Sequence, residues 1–141
     1  MAIATAEAGA DFIGLVFAAN SKRKVSLEKA QEIVKAVNEW KIQKNVNKFD
    51  VESLRNVQNK DFSYYAKEIT RLVKQSKPVI VGVFSDNPQD EVNELATKVP
   101  LDLIQLSGIL PKLCFLLILQ RTGRTRCCQV NGIAHCQGYS C

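Results

Sequence analysis

From Met1 to Gly108 the chain has no cysteine, and from Ile109 to Cys141 it has no aspartate or glutamate. The first absence removes disulfides and thiolate metal sites from most of the chain and suits a reducing compartment. Histidine is nearly absent too: His135 is the only one. Neither Ser21 nor Ser107 therefore has a nearby imidazole to take its proton, and nucleophilic catalysis has no support. Long apolar runs are missing as well. Ile109–Leu119 is interrupted by Pro111 and Lys112 and falls well short of the ~20 residues a membrane span needs. The amino-terminal stretch MAIATAEAGADF carries acids early and no basic region, unlike a secretory leader. These absences together predict a cytoplasmic protein with no membrane partner.

The charge that is present is unevenly placed. All 14 acidic residues and 15 of the 19 basic ones lie in Met1–Gly108, a net +1. Lys112, Arg121, Arg124 and Arg126 give the remainder +4 of the total +5. All five cysteines (Cys114, Cys127, Cys128, Cys136 and Cys141) also fall after Gly108. The pI of about 9.0 thus describes the tail, and it does not make the larger part a nucleic-acid binder. The tail has neither aromatic interleaving nor a known nucleic-acid module. Its Cys127-Cys128 and His135-Cys136 pairs lack the C-x(2–4)-C grip of a tetrahedral zinc site, so no metal is expected.

Three apolar runs read as strands: Phe12–Phe17, Pro78–Phe84 and Leu101–Leu106. Each is continuous rather than alternating, the pattern of a strand covered on both faces. Leu27, Ala30, Ile33, Val34 and Val37 recur at helical spacing behind Ser26 as N-cap. Phe62, Tyr65, Ala66, Ile69, Leu72 and Val73 give a second helix. Asn87–Pro88 opens a third, with Asn87 as cap, Pro88 at the first helical position, and Val92, Leu95, Ala96 and Val99 inward. Met1–Ala8 reads as the end of a helix closed by Gly9. Asn38–Lys60, polar and rich in Asn and Lys, reads as an insertion or long loop. Strands alternating with helices predict a parallel α/β sheet, open or closed. After Gly108 the periodicity stops, and no helix follows the third strand. The organisation expected is residues 1–108 as one α/β unit, with an insertion at about 38–60. Residues 109–141 then form an irregular, Cys-rich, basic tail of the kind a frameshift or retained intron produces.

In parallel α/β folds, functional groups gather at the carboxyl ends of strands. Arg23, in the loop after the first strand, has the fork geometry to clamp a carboxylate or phosphate; equally, Lys22-Arg23-Lys24 reads as a solvated basic loop. Gln105 interrupts an apolar strand and must find partners, in a ligand or in neighbouring backbone.

The stretch EAGADFIGLVFAANSKRKVSLEKAQEIVKAV (Glu7–Val37) resembles the second strand-and-helix unit of the phosphoribosylanthranilate isomerase family. That unit's pattern is A-G-A-D-x-x-G-x-V-F followed by S-x-R, and Gly14, Phe17, Ser21 and Arg23 match in order. PVIVGVFSDNPQDEV is similar to the third unit. DLIQLSG is similar to the fourth strand, with Ser107 where the family usually has histidine. DFSYYA and the insertion before it resemble the fungal form, often fused to other tryptophan-pathway domains.

The resemblance implies a partial (β/α)8 TIM barrel of about three strands out of eight. It implies the Amadori rearrangement of N-(5-phosphoribosyl)anthranilate in tryptophan biosynthesis, without cofactor. In the family, an aspartate after a later strand protonates the furanose oxygen, and a cysteine in a K-x-C-G strand removes the C2 proton. Neither has a counterpart here, so no catalytic residue is assigned and the isolated chain is expected to be inactive. Arg23 corresponds to the arginine on the substrate carboxylate, and Gln105 to the glutamine ending the fourth strand. Two alternatives stand beside this reading: a non-catalytic half-barrel used for binding or assembly, and another phosphate-binding barrel enzyme.

Overall fold

The computed structural model describes residues 1–50, 62–107 and 114–116. In chain order these form α1 (Ala2–Glu7), β1 (Phe12–Val16), α2 (Leu27–Gln43), α3 (Phe62–Ser76), β2 (Val79–Ser85), α4 (Gln89–Lys98), β3 (Leu103–Ser107) and β4 (Cys114–Leu116). The sheet order is β1-β2-β3-β4. β1, β2 and β3 run parallel, while β4 pairs antiparallel with β3. The fold is α/β, with three parallel strands laid side by side in sequence order, as consecutive strands are in a (β/α)8 barrel.

The local causes are plain in the sequence. Gly9 takes the left-handed φ of +84° that ends α1, a conformation that costs a glycine little. The Ser26 side chain accepts from the Lys29 N–H at 3.3 Å and starts α2. Ala30, Val34 and Val37 then share one buried stripe of that helix, the spacing that places side chains on one face.

One face of the sheet carries the core. Ile13, Leu15 and Phe17 of the first strand and its end, Ile80 and Phe84 of β2, and Ile104 of β3 pack against Ala30, Val34 and Val37 of α2 and Val92 and Ala96 of α4. The Phe17 and Phe84 rings stack at 5.1 Å. On the opposite face, Val79 and Leu103 at the amino ends are covered by Phe49 and by Ile69, Leu72 and Val73 of α3. Towards the carboxyl ends the same face is thinly covered among the described residues. Gly14 is exposed, and Val16, Val81 and Val83 are only half-buried; at the amino end of β1, Phe12 is 50% exposed as well.

Three expectations need correction. The helix read to Val37 continues to Gln43, so Asn38–Gln43 is not loop. Lys41, within the stretch read as an insertion or long loop, lies one helical repeat beyond Val37. It is buried there because Asp102 sits 3.6 Å from its ammonium. Asn87 does not cap the third helix. That helix starts at Gln89 with Pro88 at its N-cap, and the Asn87 side chain turns back to the strand ends. Finally, Cys114–Leu116 within the tail is a strand. The rest of residues 109–141, and residues 51–61, of which 51–60 belong to the expected insertion, lie outside the described residues.

Candidate substrate-binding site

Backbone register fixes which side chains share a level. Val16 pairs with Val83 and Val83 with Gln105, so these three form one row across the sheet. Paired residues in a parallel ladder point the same way, and alternate residues point oppositely. Because Phe17, Phe84 and Ile104 face the helices, the Val16–Val83–Gln105 row faces the thinly covered side. One row further on, Ser85 pairs with Ser107 on that same side. The carboxyl end of this face therefore carries an apolar floor of Val16 and Val83 with a polar rim of Gln105, Ser85 and Ser107.

Gln105 is half-buried, and its Nε2 lies 3.5 Å from Ser107 Oγ, the longest of the bonds in this region. A contact of that length leaves most of the amide's hydrogen-bonding capacity for a ligand.

Arg23 sits on the loop that leaves β1. The Val25 N–H donates to the Val16 carbonyl at 2.8 Å and closes the loop on its own strand. Inside it, Ser21 N donates to the Ala18 carbonyl and Lys24 N to the Ser21 carbonyl, each at 3.1 Å, while Arg23 N donates to Ser21 Oγ at 3.1 Å. Two consecutive turns thus hold Arg23 at the tip, exposed. No carboxylate among the described residues forms an ion pair with it. Its loop begins one residue past the Gln105 row, on the strand two places away. At ~4.8 Å per strand spacing, β1 and β3 are about 10 Å apart.

The end of β2 ties the rim together. Asp86 adopts a left-handed φ of 55°, which aspartate tolerates better than most residues. Its N–H donates to the Ser107 carbonyl at 3.1 Å, and Ser85 Oγ donates to Asp86 Oδ2 at 3.1 Å. Asn87 bridges further: its Oδ1 accepts from Ser85 N at 3.0 Å, and its Nδ2 donates to the Phe17 carbonyl at 3.3 Å and to Glu91 Oε2 at 3.1 Å. Sequence reasoning read Asn87 as a helix cap. The Asn-Pro pair signals a turn as much as a cap, and only the turn reading finds the bridge.

The arrangement can bind an anion and hydrogen-bond a polar substrate. Among the described residues no cluster of three or more His, Cys, Asp or Glu side chains is placed to hold a metal ion. Of the tail residues weighed for zinc, Cys127, Cys128, His135 and Cys136 lie outside the described residues. No helix among the described residues is long and apolar enough to cross a membrane.

Comparison with known proteins gives one family. The family model described as N-(5'phosphoribosyl)anthranilate (PRA) isomerase matches residues 53–131, past the change in composition after Gly108. A multifunctional tryptophan biosynthesis protein of Phycomyces blakesleeanus is 36% identical over 119 residues, covering 76% of this chain and 13% of that protein. The N-(5'-phosphoribosyl)anthranilate isomerase of Dehalococcoides mccartyi is 36% identical over 107 residues, 76% of this chain and 33% of its own. That of Wickerhamomyces anomalus is 30% identical over 102 residues, 72% of this chain and 42% of its own. A crystal structure of the Thermus thermophilus phosphoribosyl anthranilate isomerase aligns at 26% identity and a TM-score of 0.44, over 77% of this chain and 36% of that one. The chain thus spans less than half the length of each of these relatives.

Proposed function

The chain belongs to the N-(5'-phosphoribosyl)anthranilate isomerase family, and we propose that it supplies the carboxylate-binding wall of such an isomerase. In this reading Arg23 clamps the anthranilate carboxylate through paired guanidinium N–H bonds. Gln105 hydrogen-bonds the same substrate from the facing strand, and Val16 and Val83 form the apolar floor beneath its ring. The observation that carries the reading is the strand register. It sets Gln105 level with Val16, the last strand residue before the Arg23 loop, and on the same face as Val16.

The reaction is an Amadori rearrangement, in which an aminoaldose becomes an aminoketose with no net oxidation and no cofactor. Opening the furanose requires a proton on the ring oxygen, and the shift requires loss of the C2 proton. Both are general acid–base steps. Neither the cysteine base in its K-x-C-G context nor the later aspartate has a counterpart in this chain, and none of the tail cysteines inherits the role. Turnover is therefore assigned to this wall together with the complementary βα units, whether on one longer polypeptide or on an associated one. Fusion to other tryptophan-pathway domains, as in the Phycomyces relative, and a cytoplasmic setting belong to the same proposal. The division into a partial barrel (1–108) and a tail (109–141) belongs to it as well. Its support is the antiparallel course of Cys114–Leu116, where the next barrel strand runs parallel.

The test is to co-express the chain with the missing barrel segments of a single-function relative in a strain lacking the isomerase. Restored growth without tryptophan, with KM raised at least tenfold by Arg23→Ala and severalfold by Gln105→Ala, is the expected result. Restored turnover that Arg23→Ala leaves unchanged in KM overturns the assignment. A second reading, a non-catalytic assembly module, is favoured by the half-exposed Phe12 and the uncovered row around it. It predicts a stable complex with those segments and no turnover.

A further inference from the structure

We propose that Asn87 is a positioning residue that fixes the Arg23 loop against the rest of the sheet; this rests on the reading of Arg23 as the substrate-binding arginine. The loop is fastened at its root through two successive carbonyls. Val16 O accepts from Val25 N, a bond internal to the loop's own ends. Phe17 O accepts from Asn87 Nδ2, which comes from a different element, the turn after β2. The first bond closes the loop, and the second, together with the Phe17 N–H that donates to the Val83 carbonyl at 2.8 Å, sets where the closed loop stands relative to β2 and β3.

A single amide group performs both halves of that tie. Its oxygen accepts from Ser85 N at 3.0 Å, fixing Asn87 to the end of β2, and its nitrogen reaches Phe17 O at 3.3 Å, fixing β1. The Glu91 carboxylate, in the first turn of α4, selects the orientation. A carboxylate only accepts, so the group 3.1 Å from Glu91 Oε2 must be the NH2. From Phe17 the rigidity travels to Arg23 through the two turns at Ala18–Ser21 and Ser21–Lys24. The same β2 turn bonds Asp86 N to Ser107 O beside Gln105, so one short segment sets the separation of both substrate-binding side chains.

The geometry discriminates asparagine from aspartate, although the two have the same shape. Asn87→Asp keeps the acceptor for Ser85 N but sets a carboxylate against the Phe17 carbonyl and the Glu91 carboxylate. Asn87→Ala removes both ties. Two measurements read the effect. In amide hydrogen exchange of the full 141-residue chain, Asn87→Ala and Asn87→Asp should speed exchange at Ser21 and Lys24 about tenfold. Amides of Ala30 and Val34 in the α2 core should keep their rates. In the complemented isomerase, Asn87→Ala should raise KM about tenfold with kcat within about twofold. Asn87→Asp should do more, and Glu91→Gln should recover part of its loss by relieving the repulsion. Arg23→Ala in the same assay separates the two ideas. If it raises KM while Asn87→Ala changes neither KM nor loop exchange, the positioning role is overturned and the Arg23 reading stands. If Arg23→Ala leaves KM alone, both fall. Loss of protection spread through α2 and α4 with KM unchanged marks a merely structural residue and also overturns the proposal.

Discussion

Lys41 and Asp102 offer the sharpest test of how the end of α2 is held to the sheet. The Lys41 side chain is 8% exposed and lies 3.6 Å from Asp102 Oδ2, whose side chain is 25% exposed. Asp102 also accepts from the buried Ile80 N–H at 2.9 Å. Burial pushes the Lys41 ammonium below the usual lysine range, and the attraction of Asp102 only partly opposes it. Desolvation therefore outweighs pairing, and the pair as a whole contributes little net stability. Breaking it from one side is another matter. Asp102→Ala strands a buried charge and an unpaired backbone N–H, for a cost of roughly 3 kcal/mol. The charge's share is capped at about 5 kcal/mol, because an ordinary lysine deprotonates at pH 7 for that amount. Asp102→Asn retains an acceptor for Ile80 N and isolates the charge's share. Lys41→Met, which replaces the ammonium stem with an apolar one of similar length, should lie within about 1 kcal/mol of the parent.

The assay is urea unfolding followed by emission of Trp40, the only tryptophan in the chain and the neighbour of Lys41. The pH dependence has a definite sign. Because Lys41 in the folded chain has a lowered pKa, the unfolded chain binds more protons between that value and 10.5, the ordinary one. Stability conferred through this group thus rises with pH across that window. The parent should therefore gain stability relative to Lys41→Met as pH goes from neutral towards 10. A Lys41→Met variant as damaged as Asp102→Ala, or an Asp102→Ala cost below about 1 kcal/mol, refutes the reasoning.

Two glycines of the sheet should respond oppositely to alanine. A Cβ at Gly82 would meet Leu101 Cδ1 at 2.5 Å and Phe84 Cε2 at 3.0 Å, so Gly82→Ala should cost roughly 1–3 kcal/mol in urea unfolding. At Gly14 the nearest contact would be Val83 Cγ2 at 3.9 Å, and Gly14→Ala should be neutral within about 0.5 kcal/mol. The uncovered row around Phe12 should make the isolated chain self-associate at micromolar concentrations. Sedimentation velocity should show Phe12→Ser shifting the chain towards monomer, and a concentration-independent monomer in the parent would contradict this.

Much of the fold is legible in the sequence because its signals are local. Ser26 caps α2 from three residues away, and Gly9 ends α1 where a positive φ is needed. The runs FIGLVF, PVIVGVF and LDLIQL match the three parallel strands to within two residues at each end. What escaped depends on partners distant in the chain. Asn38, Glu39 and Lys41 break the apolar stripe, and only Asp102, on the far side of β2, lets the helix run on through a buried lysine. Asn87 is a plausible cap until Phe17 O, on another strand, is found within its reach. For Gln105 the pattern leaves ligand and backbone equally open. The strand register, which no local window contains, places it on the inner row, beside Ser107 rather than a backbone group.

One feature of the strands joins sequence to function more closely than any single side chain. Continuous apolar runs arise where both faces of a sheet are covered, and β1 and β2 have that character along their length. Yet only one face of them is packed against helices along its whole length, and on the opposite face Phe12, Gly14, Val16, Val81 and Val83 are half-buried or exposed among the described residues. Burial of a valine or phenylalanine side chain is worth about 1.5–3 kcal/mol, so such a row carries the composition of a surface meant to be covered. The helix α3 and Phe49 cover its amino end only. The polar groups that interrupt the row, Ser85, Gln105 and Ser107, lie at its carboxyl end, where a closed barrel keeps its substrate. An apolar lower wall and a polar upper rim on the same face are what a barrel interior requires. Such a row is matched to a covering surface rather than to solvent, which accords with the proposed assembly with the family's complementary βα units.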